Sequence, residues 1–157
     1  MNVYLHIQQV KNNNNIELQD TIRYLYPKKN TIMNGEFTKI LFSKHNVTMN
    51  GLYFYLPFKI HETNDNSHIR QLVTNNQQNI SLIYDLKNIE NVLLKNYMDY
   101  NRIQKKCENV LQNQLITNQI RVYRNMNKPI RNKYVIKISG IWETRDKIGL
   151  TYKIMEM

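Results

Sequence analysis

The 157-residue sequence predicts an α+β fold, mainly β, with one long helix. Three observations point there. Runs rich in Ile, Val, Tyr, Phe and Thr recur in residues 3–60 and again in residues 115–155. Between them, residues 85–113 carry apolar side chains at three- and four-residue steps, with no Gly or Pro. No apolar run approaches the about 18 residues that a membrane span needs. A chain of this length is expected to form one domain over residues 1–157 and to bury roughly two thirds of its unfolded surface.

Taken in order, residues 3–10 (VYLHIQQV) alternate well enough for a strand, and residues 16–26 read as a second extended run closed by Pro27. Residues 27–30 form a basic loop, with Gly35 as a turn residue. Residues 36–43 and 51–60 then predict a hairpin joined through 44–50, with Asn50-Gly51 as its turn dipeptide. In the second of these strands Leu52, Phe54, Leu56, Phe58 and Ile60 share one face, and Tyr53, Tyr55, Pro57 and Lys59 the other. Pro57 cannot donate a ladder hydrogen bond, which places the strand at an edge or gives it a bulge.

Residues 61–79 are polar throughout and predict a loop with one short ordered turn. Residues 80–84 predict a short strand. The helix over about 85–113 places Leu86, Ile89, Leu93, Tyr97, Tyr100, Ile103, Cys107, Val110 and Leu111 on one stripe, as in an amphipathic helix laid on a sheet. Residues 115–124 return to a strand, with Ile120 and Val122 facing one way, Arg121 and Tyr123 the other. Residues 125–132 make a loop, and residues 133–155 the closing hairpin, broken at 144–147. Strict alternation there puts Tyr134, Ile136, Ile138, Gly140 and Trp142 together, opposite Lys133, Val135, Lys137, Ser139 and Ile141. On the return strand Leu150, Tyr152 and Ile154 oppose Thr151, Lys153 and Met155. Strands, helix, then three strands fit a five-stranded Greek-key barrel of the OB type, with an N-terminal extension and the hairpin appended.

Composition narrows the chemistry. Cys107 is the only cysteine, which excludes an internal disulfide and suits a reducing compartment. The first residues lack the basic, apolar, small-residue order of an export signal, so an intracellular protein is expected. There are 24 Asn and 19 Ile but no Ala, the bias of an AT-rich genome such as that of a virus or an extrachromosomal element. Of the four histidines, His6, His45, His61 and His68, only the last two are near one another. Around them Glu62 and Asp65 are better explained by a polar loop than by a metal site. No Gly-rich phosphate loop, no Gly-x-Ser-x-Gly turn and no convincing carboxylate pair is present. The expectation is a binding protein rather than an enzyme, with no metal and no cofactor.

The net charge of +10 is unevenly spread. Residues 1–60 hold seven Lys/Arg against three Asp/Glu, residues 61–116 six against six, and residues 117–157 nine against three. The excess lies in the strand-rich ends, where basic and aromatic residues interleave. Phosphates need charge, and bases stack on flat exposed rings held by a rigid sheet. The candidate rings are Tyr53, Tyr55, Tyr123, Trp142 and Tyr152. The candidate phosphate contacts are Lys39, Lys59, Arg121, Arg124, Lys133, Lys137, Arg145, Lys147 and Lys153. Two readings compete at the rings: Trp142 also suits the single core indole, and Tyr53 and Tyr55 could cover a neighbouring loop or pack under the helix.

Two stretches, KISGIWETRDKIGLTYKI and YPKKNTIMNGEFTKILFSKHNVTMNGLYFYLPFKI, make up about a third of the chain. They resemble small proteins of large DNA viruses and virus-like linear DNA elements, in particular their single-stranded-DNA-binding or replication-associated members. The resemblance implies a protein that coats unwound DNA during replication using an OB barrel; a homo-oligomer is expected, in the cytoplasm of an infected or element-bearing cell or in the virion. Single-stranded DNA is the implied partner, with RNA as the close alternative and no membrane. A second expectation is a virion structural or assembly protein. Many strand-binding proteins end in an acidic tail that recruits partners; this sequence ends Lys153-Ile-Met-Glu-Met157, and no such recruitment is expected.

Overall fold

The computed structural model describes residues 16–66 and 68–157, and the strand expected over residues 3–10 lies outside them. The chain opens with helix α1 (Ile16–Thr21) and strands β1 (Ile22–Tyr24), β2 (Lys28–Lys29), β3 (Glu36–Lys44), β4 (Val47–Met49) and β5 (Leu52–Leu56). A hairpin of β6 (Ile60–Asn66) and β7 (Ile69–Thr74) leads into the long helix α2 (Ile80–Asn101). Strand β8 (Lys106–Glu108), helix α3 (Val110–Ile116) and strands β9 (Gln119–Tyr123), β10 (Tyr134–Glu143) and β11 (Lys147–Glu156) complete it. The class is α+β, as expected, built on an open sheet whose neighbours run β1-β3-β10-β11-β9-β7-β6. The strands β2 and β4 add to β3, β5 adds to β10, and β8 adds to β11.

The closing hairpin forms at the expected place. Thr144 N–H donates to the Lys147 carbonyl at 2.9 Å and closes the turn between β10 and β11. Its alternation is broken once, because the register shifts between Ile138 and Gly140 and leaves Ser139 as a bulge. A one-residue slip exchanges the two faces beyond it. Ile138 and Ile141 are therefore both buried in the core, while Trp142 turns to the opposite face beside Phe37 of β3. The expected grouping of Trp142 with Ile136 and Ile138 is corrected accordingly.

Several expected elements are redrawn. Residues 16–21 are helical rather than extended, with Leu18 buried, and the extended run begins only at Ile22. The expected hairpin partner of β3 is not β5. β3 folds back on β4 through a two-residue turn with His45 in the left-handed region (φ 53°), and β5 crosses to β10. Gly51 makes that crossing with φ 152°, and a Cβ there would meet the Ile138 carbonyl at 2.7 Å. Strand β5 stops before Pro57, so the proline interrupts no ladder, and among the described strands β5 pairs with β10 alone.

Most of the loop expected over residues 61–79 is a hairpin, since β6 and β7 pair from Ile60↔Thr74 to Asn66↔Ile69, and only residues 75–79 remain a turn before the helix. Only Leu72 is a large buried hydrophobe on β7; its inward neighbours are Arg70 and Thr74, so the alternation carries little hydrophobic contrast. The expected strand at 80–84 is the first turn of α2, preceded by a buried clamp. Asn79 Oδ1 accepts the Lys59 N–H at 2.8 Å and its Nδ2 donates to the Lys59 carbonyl at 2.9 Å, fastening the helix start to the β5–β6 connection. Asn79→Ala strands both main-chain groups and is expected to cost about 1–3 kcal/mol in a denaturant titration.

The single helix expected over 85–113 is divided. α2 ends where Arg102 enters the left-handed region (φ 54°), with Ile103 N–H returning to the Met98 carbonyl at 3.0 Å. Cys107 consequently sits on β8, paired with Ile148 and half-buried, and burial raises its thiol pKa. Glu90 of α2 joins the pieces. Its carboxylate accepts the Leu111 N–H at 3.0 Å and the Gln112 N–H at 2.9 Å, capping the first turn of α3.

The core lies between these helices and one face of the sheet. Leu86, Ile89, Leu93, Leu94 and Tyr97 of α2 belong to one cluster with Ile136, Ile138, Ile141, Ile148, Leu150 and Ile154 of the central hairpin. Each fully buried Leu or Ile stabilises the fold by about 1.5–3 kcal/mol. Tyr97 crosses the core to donate to Glu143 Oε2 at 2.7 Å and to contact Thr38 Oγ1 at 3.1 Å, and burial pushes its phenol up to about 12. Glu143 also meets Lys105 Nζ at 2.5 Å. Among the described residues, helices cover only this face of the sheet.

Candidate functional site

The opposite face is where charge and aromatic surface collect. Strand register fixes its rows, because residues directly opposite each other in a sheet share a face. One row runs Tyr53–Lys137–Lys153 across β5, β10 and β11. The next runs Tyr55–Val135–Met155–Tyr123 across β5, β10, β11 and β9. Beyond the bulge lie Lys39–Gly140–Thr151 and Lys28–Phe37–Trp142–Gly149.

Two lysines stand side by side at the centre of this face. Lys137 and Lys153 are cross-strand partners, and among the described residues neither makes an ion pair. Like charges directly opposite each other destabilise a sheet. Each ammonium instead lies by a tyrosine ring: Lys137 is 5.5 Å from the Tyr53 centroid and Lys153 is 4.2 Å from that of Tyr123. Tyr53 is held in turn by its hydroxyl, which donates to Asn50 Oδ1 at 2.6 Å. Tyr55 and Tyr123 are each 37% exposed. Arg121 lies two residues before Tyr123 on β9, on the same face and exposed.

Trp142 closes the far end of the face. Its indole lies over Gly149 so closely that a Cβ there would fall 2.3 Å from Cζ2. The ring is therefore set flat on the sheet and half-buried, neither in the core nor free. Glycines under Phe37 and Trp142 let aromatic rings lie down on the strand surface.

Of the residues expected to bind, Lys39, Tyr53, Tyr55, Arg121, Tyr123, Lys137, Trp142, Lys147 and Lys153 are brought onto this one face. Lys147 is partly neutralised there by Glu108 at 3.2 Å. The others lie elsewhere. Tyr152 points to the helix side, donates its hydroxyl to Gln114 of α3, and has its phenol pKa raised by burial. Arg124 sits beside the buried carboxylate of Glu156, with Nε 4.0 Å from Oε2. Glu156 Oε1 is already taken by Arg70 at 3.0 Å and by the main chain of Arg131 and Asn132. Arg145 lies exposed in the β10–β11 turn, Lys133 just before β10, and Lys59 on the connection after Pro57. Lys28 and Phe37 join the face without a motif that marks them in the sequence. Phe37 alternates with Lys39 along β3, which is the signal that could have found it.

No family model, no curated protein and no solved structure matches the chain. Among the described residues, no group of three or more His, Cys, Asp or Glu is arranged to hold a metal ion. No described helix is long and apolar enough to cross a membrane. The geometry of the helix-free face therefore carries the functional reading.

Proposed function

We propose that the chain binds single-stranded nucleic acid on the helix-free face of its sheet, tolerating many sequences, during replication of a viral or extrachromosomal genome. The observation that carries this is the pair Lys137 and Lys153, placed opposite each other without a carboxylate partner among the described residues and each set against a tyrosine. A phosphate between them would relieve their repulsion, and the flanking rings offer faces to bases at about 1–3 kcal/mol each. The resemblance of residues 26–60 and 137–154 to replication-associated viral proteins adds to this reading, as does the excess of Asn and Ile over Ala expected of an AT-rich genome. DNA is the first substrate, with RNA distinguished by its 2′-hydroxyl. The finer fold expectation, a barrel of the OB type, draws support from β10, which pairs with β5 over Tyr134–Ile138 and with β3 over Gly140–Glu143. Among the described strands the path stays open between β1 and β6.

Replacing Tyr55 and Tyr123 together with Ala is the test of the stacking surface. Oligonucleotide affinity is expected to fall by about tenfold to a hundredfold with the far-UV spectrum unchanged. Unchanged affinity would make both rings structural.

A second reading, a virion assembly protein, is favoured by the large apolar side chains left in solvent. Tyr26 and Ile32 are 93% and 92% exposed, and the sheet ends on β6 with an edge free of any described strand. It predicts large salt-resistant particles without nucleic acid in light scattering. A strand binder should give only a small homo-oligomer.

A further inference from the structure

The sheet has a gap beside its most basic row. Toward β8 and β9, strand β11 is paired only at its ends: Lys147, Ile148 and Gly149 lie against β8, and Met155 lies against Tyr123 of β9. Between them, α3 takes the chain over the core side instead of adding a strand. The edge of β11 from Leu150 to Ile154 consequently has no described strand partner, and a cleft of about 1180 Å³ opens beside it. Among its described lining residues there is no carboxylate.

The groups that line it suit one chemistry. Arg121 and Lys153 provide positive charge, and Tyr123 an aromatic ring that the Lys153 ammonium holds from 4.2 Å. Gln71 Nε2 donates to Gln119 Oε1 at 2.8 Å, so the two amides steady each other across β7 and β9. That bond leaves Gln71 Oε1 as an acceptor and the Gln119 amide as a donor, a matched pair without a hydrogen-bond partner among the described residues. On the opposite wall Tyr152 donates to Gln114, fixing that amide and keeping its N–H groups as donors. Adjacent donor and acceptor groups beside a ring and two cations are what a nucleotide's base edge, base plane and phosphate require.

We propose that this cleft takes in one base of the bound strand, so that one position is read by hydrogen bonds while the rest of the face stays sequence-tolerant. Arg121 and Lys153 hold the flanking phosphates, Tyr123 stacks on the base, and the Gln71–Gln119 pair bonds its polar edge. The inference rests on the single-strand reading above. A site built to hydrogen-bond one edge discriminates against bases that leave its amides unpaired.

The test compares poly(dT), poly(dA) and poly(dC) at one salt concentration, with the wild type and with Gln71→Ala/Gln119→Ala. Both glutamines are exposed, and circular dichroism checks that the variant folds. The wild type is expected to separate its best and worst homopolymer by about tenfold, and the variant to lose that preference while keeping the same salt dependence. A wild type that binds all three equally, or a variant that keeps the preference, overturns the cleft proposal and leaves single-strand binding standing. Failure of the wild type to bind any of the three at low salt overturns both.

Discussion

Replacing Lys137 and Lys153 together with Glu is expected to lower affinity for a short oligodeoxythymidine by about a hundredfold or more at low salt. The two are cross-strand neighbours with no acidic partner among the described residues, so the change removes two phosphate contacts and sets two negative charges in their place. Each single-strand contact contributes about 0.7 to the slope of log affinity against log salt, so that slope should flatten by about 1.4. Lys153 is exposed, Lys137 half-buried, and neither supports a described ion pair. The fold should consequently survive the change, with a melting temperature close to that of the wild type. A large loss of stability with affinity retained would assign the two lysines to the scaffold. Each singly substituted protein should fall between the extremes, with the remaining lysine still beside its tyrosine.

Glu90→Ala is expected to cost about 3 kcal/mol of folding stability, read from denaturant unfolding at neutral pH. Glu90 is fully buried, and its carboxylate takes the N–H groups of both Leu111 and Gln112. Truncation leaves both donors without acceptors and opens a cavity between α2 and α3. Because α3 carries Gln114, the partner of Tyr152, its loosening should also reach β11. The acid has a pH signature of its own. Burial raises its pKa, and the two main-chain hydrogen bonds oppose that rise without cancelling it. A raised folded value means that the native state holds the proton more tightly than the unfolded chain. The resulting stabilisation is fully present below the unfolded value and is lost as pH rises through the folded one. Glu90→Gln cannot titrate and mimics the protonated acid, so the stability of the wild type relative to Glu90→Gln should fall as pH rises from acid toward neutral. A wild type that instead gains stability relative to Glu90→Gln toward neutral pH would contradict the direction of the shift.

Much of the fold was legible where hydrophobic alternation is strong. The β10–β11 hairpin, β3 and the core face of β5 all follow from period-two patterns in Ile, Leu, Phe and Tyr. What escaped had a physical cause in each case. Ser139 bulges without any Gly or Pro to mark it, and that single residue moved Trp142 to the other face. Arg102 ends α2 in a left-handed conformation where a sequence reader looks for Gly or Asn, while Ile103, Cys107 and Val110 keep the helical spacing going into a strand. The β6–β7 hairpin is polar on both strands, because Arg70 and Thr74 turn inward beside Leu72. Residue types at the candidate site were visible in the sequence, yet their meeting was not. Tyr53, Lys137, Lys153 and Tyr123 come from four strands, and their adjacency depends on registers between strands far apart in the chain. Tyr152 and Arg124 show the converse: aromatic and basic by type, they are committed to Gln114 and beside Glu156 by geometry.

The most direct measurement is a salt titration of binding to poly(dT), followed by the fluorescence of Trp142, the single indole of the chain. Trp142 lies on the proposed binding face, half-buried over Gly149. Affinity should fall linearly in log salt, and the indole should be quenched as the strand fills the face. Absence of binding at low salt would contradict the account and move the chain toward an assembly role.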